Sequence, residues 1–559
     1  EISSSFGSFN TRKHNLKFST GRLNEHIEIS GRLSQIISDG YIDRAESNLK
    51  SYFLQGAFVK GNTLIKALVF GGHEITYQAW NGIDAETLEN DRTFNPSGIY
   101  TDADGNVKFH DNEVDNYKQD HYQLHWNERI NNQWSTNIGL NYTYGRGYFE
   151  QYKEDEDFVD YNLDDIIIGE ETINTTDLIR RRWLDNDFYV ITASANHKKD
   201  NLNMTFGGAY SSYDGDHFGE IIWAQYASNS EINDQYYNGN GKKTDFNLFS
   251  KATFKLNEKI SLYGDLQLRL VNYKTKGLTS DRINLLVDEH YNFVNPKAGI
   301  TYNFNDNNNL YFSYARANRE PNRNDFESNA DIKPEQLNDF ELGWRHSVNK
   351  FTFNVNAYYM LYNEQLVLTG AIDDVGSPLR TNSGDSYRLG IEIEAMLRLS
   401  DKLAIQPNIT VSTNKNKSTF SQIDGEVVNL GKTNISFSPD VVASNALVFQ
   451  PSKALQLSLL SKYVGEQFMG NTDTRVSKLD SYFVNDFSIT YEINTNSIFK
   501  SIVLSGLVNN VFGEKYVSNG YYFTYDDTWT DPNVITTIEG AGYYPQATTN
   551  FLIGATLKF

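Results

Sequence analysis

The chain has no cysteine, which removes disulfide frameworks and thiolate metal sites and leaves the compartment open. It has only 10 prolines in 559 residues and no stretch rich in Pro, Gly or Ser that would serve as a linker. Length alone would suggest about three or four domains, and nothing in the sequence marks where they would divide. No run approaches the roughly 18 consecutive apolar residues of a membrane helix, and the mean hydropathy is -0.54. By helix criteria the chain reads as soluble. That test is blind to membrane barrels, whose strands are apolar on one face only. Basic residues are in the minority, and the resulting net charge of -21 argues against nucleic acid as a partner. No signal-peptide pattern precedes Glu1, as expected of a mature product or a fragment.

Aromatic rings are abundant. They make up 14% of the chain, with 36 Tyr and 34 Phe, as expected if rings line both membrane interfaces. The end of the chain, 549–559, reads TNFLIGATLKF. Phe551, Ile553, Ala555, Leu557 and Phe559 fall on one face of an extended strand, and Leu552, Gly554, Thr556 and Lys558 on the other. A barrel that closes on itself pairs its last strand with its first, and in lipid its outward face must be apolar. This ending resembles the C-terminal strand of bacterial outer-membrane β-barrels, where a terminal Phe belongs to the assembly signal. The same alternation recurs along the chain. Leu262, Leu266, Leu268 and Leu270 alternate with Asp265, Gln267 and Arg269, and Leu389, Ile391 and Ile393 with Arg388, Gly390, Glu392 and Glu394. Charges on the second face are too frequent for a dry core and suit a wide, wet lumen. Period two carried this far indicates an all-β chain.

The connections alternate in length. Short ones fall at 23–25, 60–62, 198–201, 256–259, 306–309, 400–402 and 451–453. Long polar segments lie near 77–116, 147–182, 214–243, 276–290, 318–336, 368–385, 417–438, 467–480 and 513–548. Short periplasmic turns and long extracellular loops describe a transmembrane antiparallel β-barrel, and the count gives about 22 strands. A barrel this wide cannot be filled by side chains, and known ones carry a plug. The first strand begins almost at Glu1, so 1–559 is expected to be the barrel domain with its plug upstream. The seam is expected between the last strand and residues 2–9, with Phe559 facing lipid near the periplasmic rim.

Several motifs point to one family. The segment NNLYFSYARA at 308–317, then Lys333-Pro334-Glu335 and Phe340-Glu341-Leu342-Gly343-Trp344, resembles the "KPE…ELG" region of TonB-dependent receptors. Gly390-Ile391-Glu392-Ile393-Glu394 resembles the family's G-x-E-x-E strand, and LVNNVFGEKY at 507–516 its penultimate "NLF…KY" strand. Gly40-Tyr41-Ile42 and TYQAWNG at 76–82 are similar to receptors of this family in Bacteroidetes. The resemblance implies a siderophore-receptor type of outer-membrane transporter. It would import a scarce, bulky nutrient with energy relayed from the inner membrane. The implied partners are outer-membrane lipid, a TonB-type energising complex acting through the plug, a small-molecule metal chelate and, as a further candidate, a surface lipoprotein.

Residues that could carry function each have a plainer reading. Arg180, Arg181 and Arg182 lie where a long loop enters the strand 183–196. Some of them should face the lumen and could hold an anionic chelate, or they form a basic rim paired with the acidic loop before them. Arg316, Arg319 and Arg323 climb from a strand top into the next loop, as ligand contacts or as partners of Glu320, Asp325 or Glu327. Tyr77, Trp80, Tyr213, Trp223, Tyr521, Tyr522 and Tyr525 could form an aromatic vestibule, although belt aromatics are the commoner explanation. The acidic run at 154–160 lacks the spacing of a calcium loop. Asp214, Asp216, His217 and Glu220 could bind a metal, and His73, His121, His217 and His290 could ligate haem. Neither pattern departs from an ordinary polar surface, and no resident metal or cofactor is expected. Arg32, Arg269 and Arg388 should line the lumen. Half-buried arginine is costly unless paired, and Glu28, Asp265, Glu392 and Glu394 are the nearby candidates.

The expected function is uptake of a ferric siderophore or related iron chelate, with haem second and cobalamin third. Upper arginines left incompletely paired would attract an anionic chelate through charge focusing in a narrow mouth. A passive diffusion channel is the main rival, to be separated by the region upstream of Glu1. An outer-membrane enzyme would need a carboxylate, His or Ser constellation at a strand rim, and none stands out, so no enzymatic activity is expected. A large soluble β protein would extract into buffer rather than detergent.

Overall fold

A computed structural model describes residues 1–372, 377–495, 497–531 and 533–559. Its main sheet holds 23 strands. One of them, Glu426–Asn434, is the returning arm of a hairpin on the upper part of Leu403–Ile423. The other 22 form a closed antiparallel wall, each pairing with the next wall strand in the chain. The ring closes where Ile2–Gly7 pairs with Asn550–Lys558, with Ile2 opposite Leu557 and Phe6 opposite Ile553. The Ser8 amide extends the seam by donating to the Phe551 carbonyl at 2.9 Å.

The period-two pattern sorts side chains across this wall as the sequence implies. Leu262, Leu266, Leu268 and Leu270 are exposed on the outside, while Asp265, Gln267 and Arg269 turn inward. Phe551, Ile553 and Phe559 of the closing strand are likewise exposed. In water such a belt would be a defect, and in lipid it is the outer surface. Tyr122, Tyr142 and Tyr189 stack on that face, with ring centroids 5.9 and 4.8 Å apart, as part of an aromatic girdle.

Strand length varies around the barrel. Trp134–Asp157 has 24 residues and Thr175–Lys199 has 25, whereas Val441–Phe449, Ser501–Asn509 and Asn550–Lys558 have 9 each. A tilted crossing takes about 9–11 residues, so the long strands continue far outside the membrane. This corrects the expected loops. Most of 147–182 and 214–243 is strand, and the true connections are 158–174 and 225–233; likewise 276–290 shrinks to 279–283. Beyond the girdle the outward positions no longer meet lipid. They turn polar while the backbone ladder continues, so composition suggests a loop where pairing persists. The short strands instead carry separate hairpins, Leu366–Ile372 with Pro378–Asn382 and Val517–Asp527 with Thr536–Pro545.

Candidate functional site

The tall wall has its own small core outside the membrane. Phe158, Tyr161, Leu163, Leu178, Ile221 and Tyr236 pack together, with Leu178 fully buried. Arg180 is sealed beside it. Its guanidinium donates twice to Gln151 Oε1, at 2.8 and 3.1 Å, and to the Tyr161 hydroxyl at 3.0 Å. Arg181 is on the opposite face of the strand, pairs with Glu150 at 2.8 Å and lies over the Tyr148 ring at 4.3 Å. Arg182 returns to the inner face, beside the Phe149 and Tyr237 rings and hydrogen-bonded to Ser280. The arginine triplet therefore lies within the strand rather than at its entry, and alternation divides it.

The inner face of this wall gathers a second set. His217 is on the same side as Arg182, because the register places it opposite Leu184 and away from outward Asp214 and Asp216. Burial, then the charges of Arg323 and Arg182, push its imidazole down to about 3, so it is neutral at physiological pH. Burial also pushes the Tyr213 phenol up to about 12 and raises those of Tyr237 and Tyr273. All three remain hydrogen-bond donors. Arg323 begins the short helix Arg323–Ser328 and pairs with Glu327 at 2.8 Å, while its Nη1 is buried without a hydrogen-bond partner.

The segment carrying that helix folds back over the lumen. Glu320 binds Arg269 at 2.8 Å and also Lys243, and Phe326 stacks on Tyr273 at 5.7 Å. Arg380 of the neighbouring hairpin reaches Asp325 at 2.9 Å. Arg269 is thus held by Glu320 and by Asp245, rather than by Asp265. Arg388 bonds to Ser438 at 2.8 Å rather than to Glu392 or Glu394. Arg319 pairs with Glu335 at 3.1 Å, and its Nη2 also donates to the Leu366 carbonyl. Arg316 shares the face of the exposed residues Leu310 and Phe312, so strand parity points it outward rather than into the lumen. These long-range pairings could not be read from proximity in sequence.

The candidate aromatics fall into different packing groups. Tyr77 is buried and donates to the His110 carbonyl at 2.9 Å, while Trp80 donates to Gln78 at 2.9 Å. Their loop docks on the last hairpin through an Ile83–Tyr543 bridge. Tyr522 is buried against Met469 and Leu479 and donates to Glu539 at 2.6 Å. On the other face of that strand, Tyr521, Phe523 and Tyr525 form a stacked ladder that ends on Trp529. Gly540 and Gly542 make room for it, since a Cβ there would meet the Phe523 and Tyr521 rings at 2.4 and 2.3 Å. Trp223 is exposed and stacks near Tyr152, at 6.1 Å. Beside Tyr522 runs a groove between the two hairpins, lined by Asn416, Thr419, Phe420 and Phe523. Asn416 is fully buried with its Oδ1 unpaired. Sequence reasoning missed this groove because only the fold brings 367–371, 381–385, 416–421 and 522–524 together.

No metal cage forms at 214–220. Asp214 pairs with Lys242 at 2.7 Å and Glu220 accepts from Trp183, while His217 is on the other face. Among the described residues no group of three His, Cys, Asp or Glu converges on one point.

Comparison with known proteins agrees with this architecture. A family model described as TonB dependent receptor-like, beta-barrel matches residues 61–511. The chain belongs to the TonB-dependent receptor β-barrel family. It is accordingly an outer-membrane β-barrel of the Gram-negative type. The catecholate siderophore receptor Fiu of Escherichia coli O157:H7 is 22% identical over 325 residues, covering 50% of this chain and 39% of that protein. The ferrioxamine receptor of Yersinia enterocolitica is 22% identical over 422 residues, covering 72% of this chain and 56% of the relative. The matched part is therefore about half the length of these relatives, or less. Among solved structures, the siderophore receptor PiuA from Acinetobacter baumannii aligns with a TM-score of 0.73 at 13% identity, over 100% of this chain and 81% of that one. The closed form of Fiu from Escherichia coli K12 gives 0.71 at 14% identity, over 100% and 81%. At such identities the structural likeness shows the fold alone.

Proposed function

We propose that this barrel belongs to a transporter that captures an iron chelate of siderophore type on its extracellular side and passes it inward through the lumen. A plug domain, pulled by a TonB-type complex, would gate the path, and a surface lipoprotein is a further candidate partner. The observation that carries the substrate class is the inner face of the tall wall. Arg182 and Arg323 there, the latter paired with Glu327, form with neutral His217 and three protonated phenols a half-buried patch rich in hydrogen-bond donors. Such a surface favours an anionic ligand in a narrow mouth. The relatives, a catecholate siderophore receptor and a ferrioxamine receptor, support the same reading. Haem and cobalamin remain second and third.

Of the original triplet, Arg180 is a support of the loop core, held by Gln151 and Tyr161. The test replaces Arg182 and Arg323 together by Gln in the full-length receptor and measures ferric-chelate binding against salt. Binding should fall by about tenfold or more, and its salt dependence should flatten. Unchanged chelate binding alongside tight cobalamin binding would overturn the substrate class.

A further inference from the structure

One sector of the outer wall carries a row of basic side chains. Lys50 stands opposite His73, His73 opposite Lys118, and Lys118 opposite Arg146, across four adjacent strands. Alternation puts them on the outward face, shared with the exposed residues Leu54, Ile75, Tyr122 and Leu140. Strands Ser47–Lys60 and Val114–Arg129 descend from the outside, while Thr63–Tyr77 and Trp134–Asp157 ascend to it. Lys50, Lys118 and Arg146 are therefore on the extracellular side of the exposed apolar residues of their own strands, and His73 is level with them.

Like charges directly opposite one another destabilise a sheet, so this row needs counter-charge. Protein carboxylates supply part of it. Asp120 is 3.2 Å from Lys118 and also accepts the Tyr52 hydroxyl, and Asp185 is 2.9 Å from Arg146. His73 is beside Asn116 at 2.8 Å. Among the described residues Lys50 has no carboxylate partner, and it is exposed. Farther round, outward lysines are neutralised individually, Lys242 by Asp214 at 2.7 Å and Lys274 by Asp288 at 2.9 Å. A groove runs against the basic row, lined by Leu16, Leu33 and Tyr52 with Lys50, His73 and Lys118.

We propose that this sector holds a phosphorylated lipid of the outer leaflet, with its phosphates at Lys50 and Lys118 and its acyl chains along Leu16 and Leu33. The groove joins a basic end at headgroup level to an apolar end at acyl level, which matches an anionic amphiphile and not a free anion. Basic residues at a membrane surface attract anionic lipid at roughly fivefold in affinity per charge.

The full-length receptor in detergent is titrated with diphosphoryl lipid A, and bound lipid is counted by native mass spectrometry. The same lipid without phosphates, and inorganic phosphate, serve as competitors. Wild type should retain the diphosphoryl form and bind the other two weakly. Lys50→Gln with Lys118→Gln should weaken retention by about 25-fold, and Lys50→Gln alone by about fivefold. Lys242→Gln with Lys274→Gln should leave it unchanged. Heat-modifiable migration of each variant checks that the barrel is closed, and the single Lys50→Gln change touches no ion pair. Equal retention of phosphorylated and phosphate-free lipid, displacement by inorganic phosphate alone, or equal weakening by both double variants would overturn the proposal.

Discussion

The two sides of the barrel solve the same problem differently. Around residues 134–305 the wall itself rises outside the membrane, as continuous strands of up to 25 residues. Around 441–559 the strands barely cross, and independent hairpins cover the rim. The tall side is held by backbone ladders and the buried cluster around Leu178. The short side depends on contacts between separate pieces, such as Asp424 with Thr537 and Ile83 with Tyr543. A ladder tolerates the loss of one side-chain contact, whereas docked hairpins depend on each one. The short side is therefore where loop motion should concentrate.

The largest effect should come from the core of the tall side. Leu178→Ala removes a fully buried side chain and should cost about 3 kcal/mol locally. Limited proteolysis should then cut 158–174 while heat-modifiable migration of the barrel is retained. Loss of the closed barrel would show that the two layers are not separable. Next is Gly542→Val on the short side, whose added atoms collide with the Tyr521 ring. It should cost about 1–3 kcal/mol and open 517–545 to protease without exposing 158–174.

A pH effect should follow. Burial pushes Glu113 up to about 7, although it accepts a hydrogen bond from the Tyr152 amide. The native state then keeps a proton that the unfolded chain has released between about pH 4.3 and 7. Docking of the 78–113 loop is therefore firmest below that window and weakens as pH rises through it. Amide exchange in this loop, corrected for intrinsic rates, should speed by about 50- to 100-fold from pH 5 to pH 8. In Glu113→Gln the difference should vanish, and a persistent slope would assign it to another group. The smallest effect is expected at the hairpin tips. Asp424→Ala removes the exposed hydrogen bond that its carboxylate accepts from the Thr537 amide, worth under about 1 kcal/mol, while the residue 424 amide still donates to the Thr537 hydroxyl, so exchange should change only near Thr537.

The same contrast explains what the sequence made legible. Inside the membrane one face must be apolar, so strand count, seam and orientation of 549–559 could be read from alternation alone. Outside it the constraint lapses. Arg180 to Arg182 looked like a loop entrance because their neighbours are polar, yet they continue a ladder with Gln151, Glu150 and Phe149. Partner choice was equally hidden. Arg269 selects Glu320, which is 51 residues away and folded into the lumen, over Asp265 beside it in the chain. Such pairings are set by which loop turns inward, and no local pattern encodes that.

The most direct test of this account is which surface each connection faces. The chain has no cysteine, so single cysteines can be labelled in intact cells without background. Ile167 and Ile232 are exposed at tall-side tips, Val427 is exposed at the tip of the hairpin formed by Leu403–Ile423 and Glu426–Asn434, and Leu256 is exposed at a tight turn. An impermeant thiol reagent should label cysteine at 167, 232 and 427, and should reach 256 only after the outer membrane is permeabilised. Labelling at 256 in intact cells with protection at 167 and 232 would contradict the account.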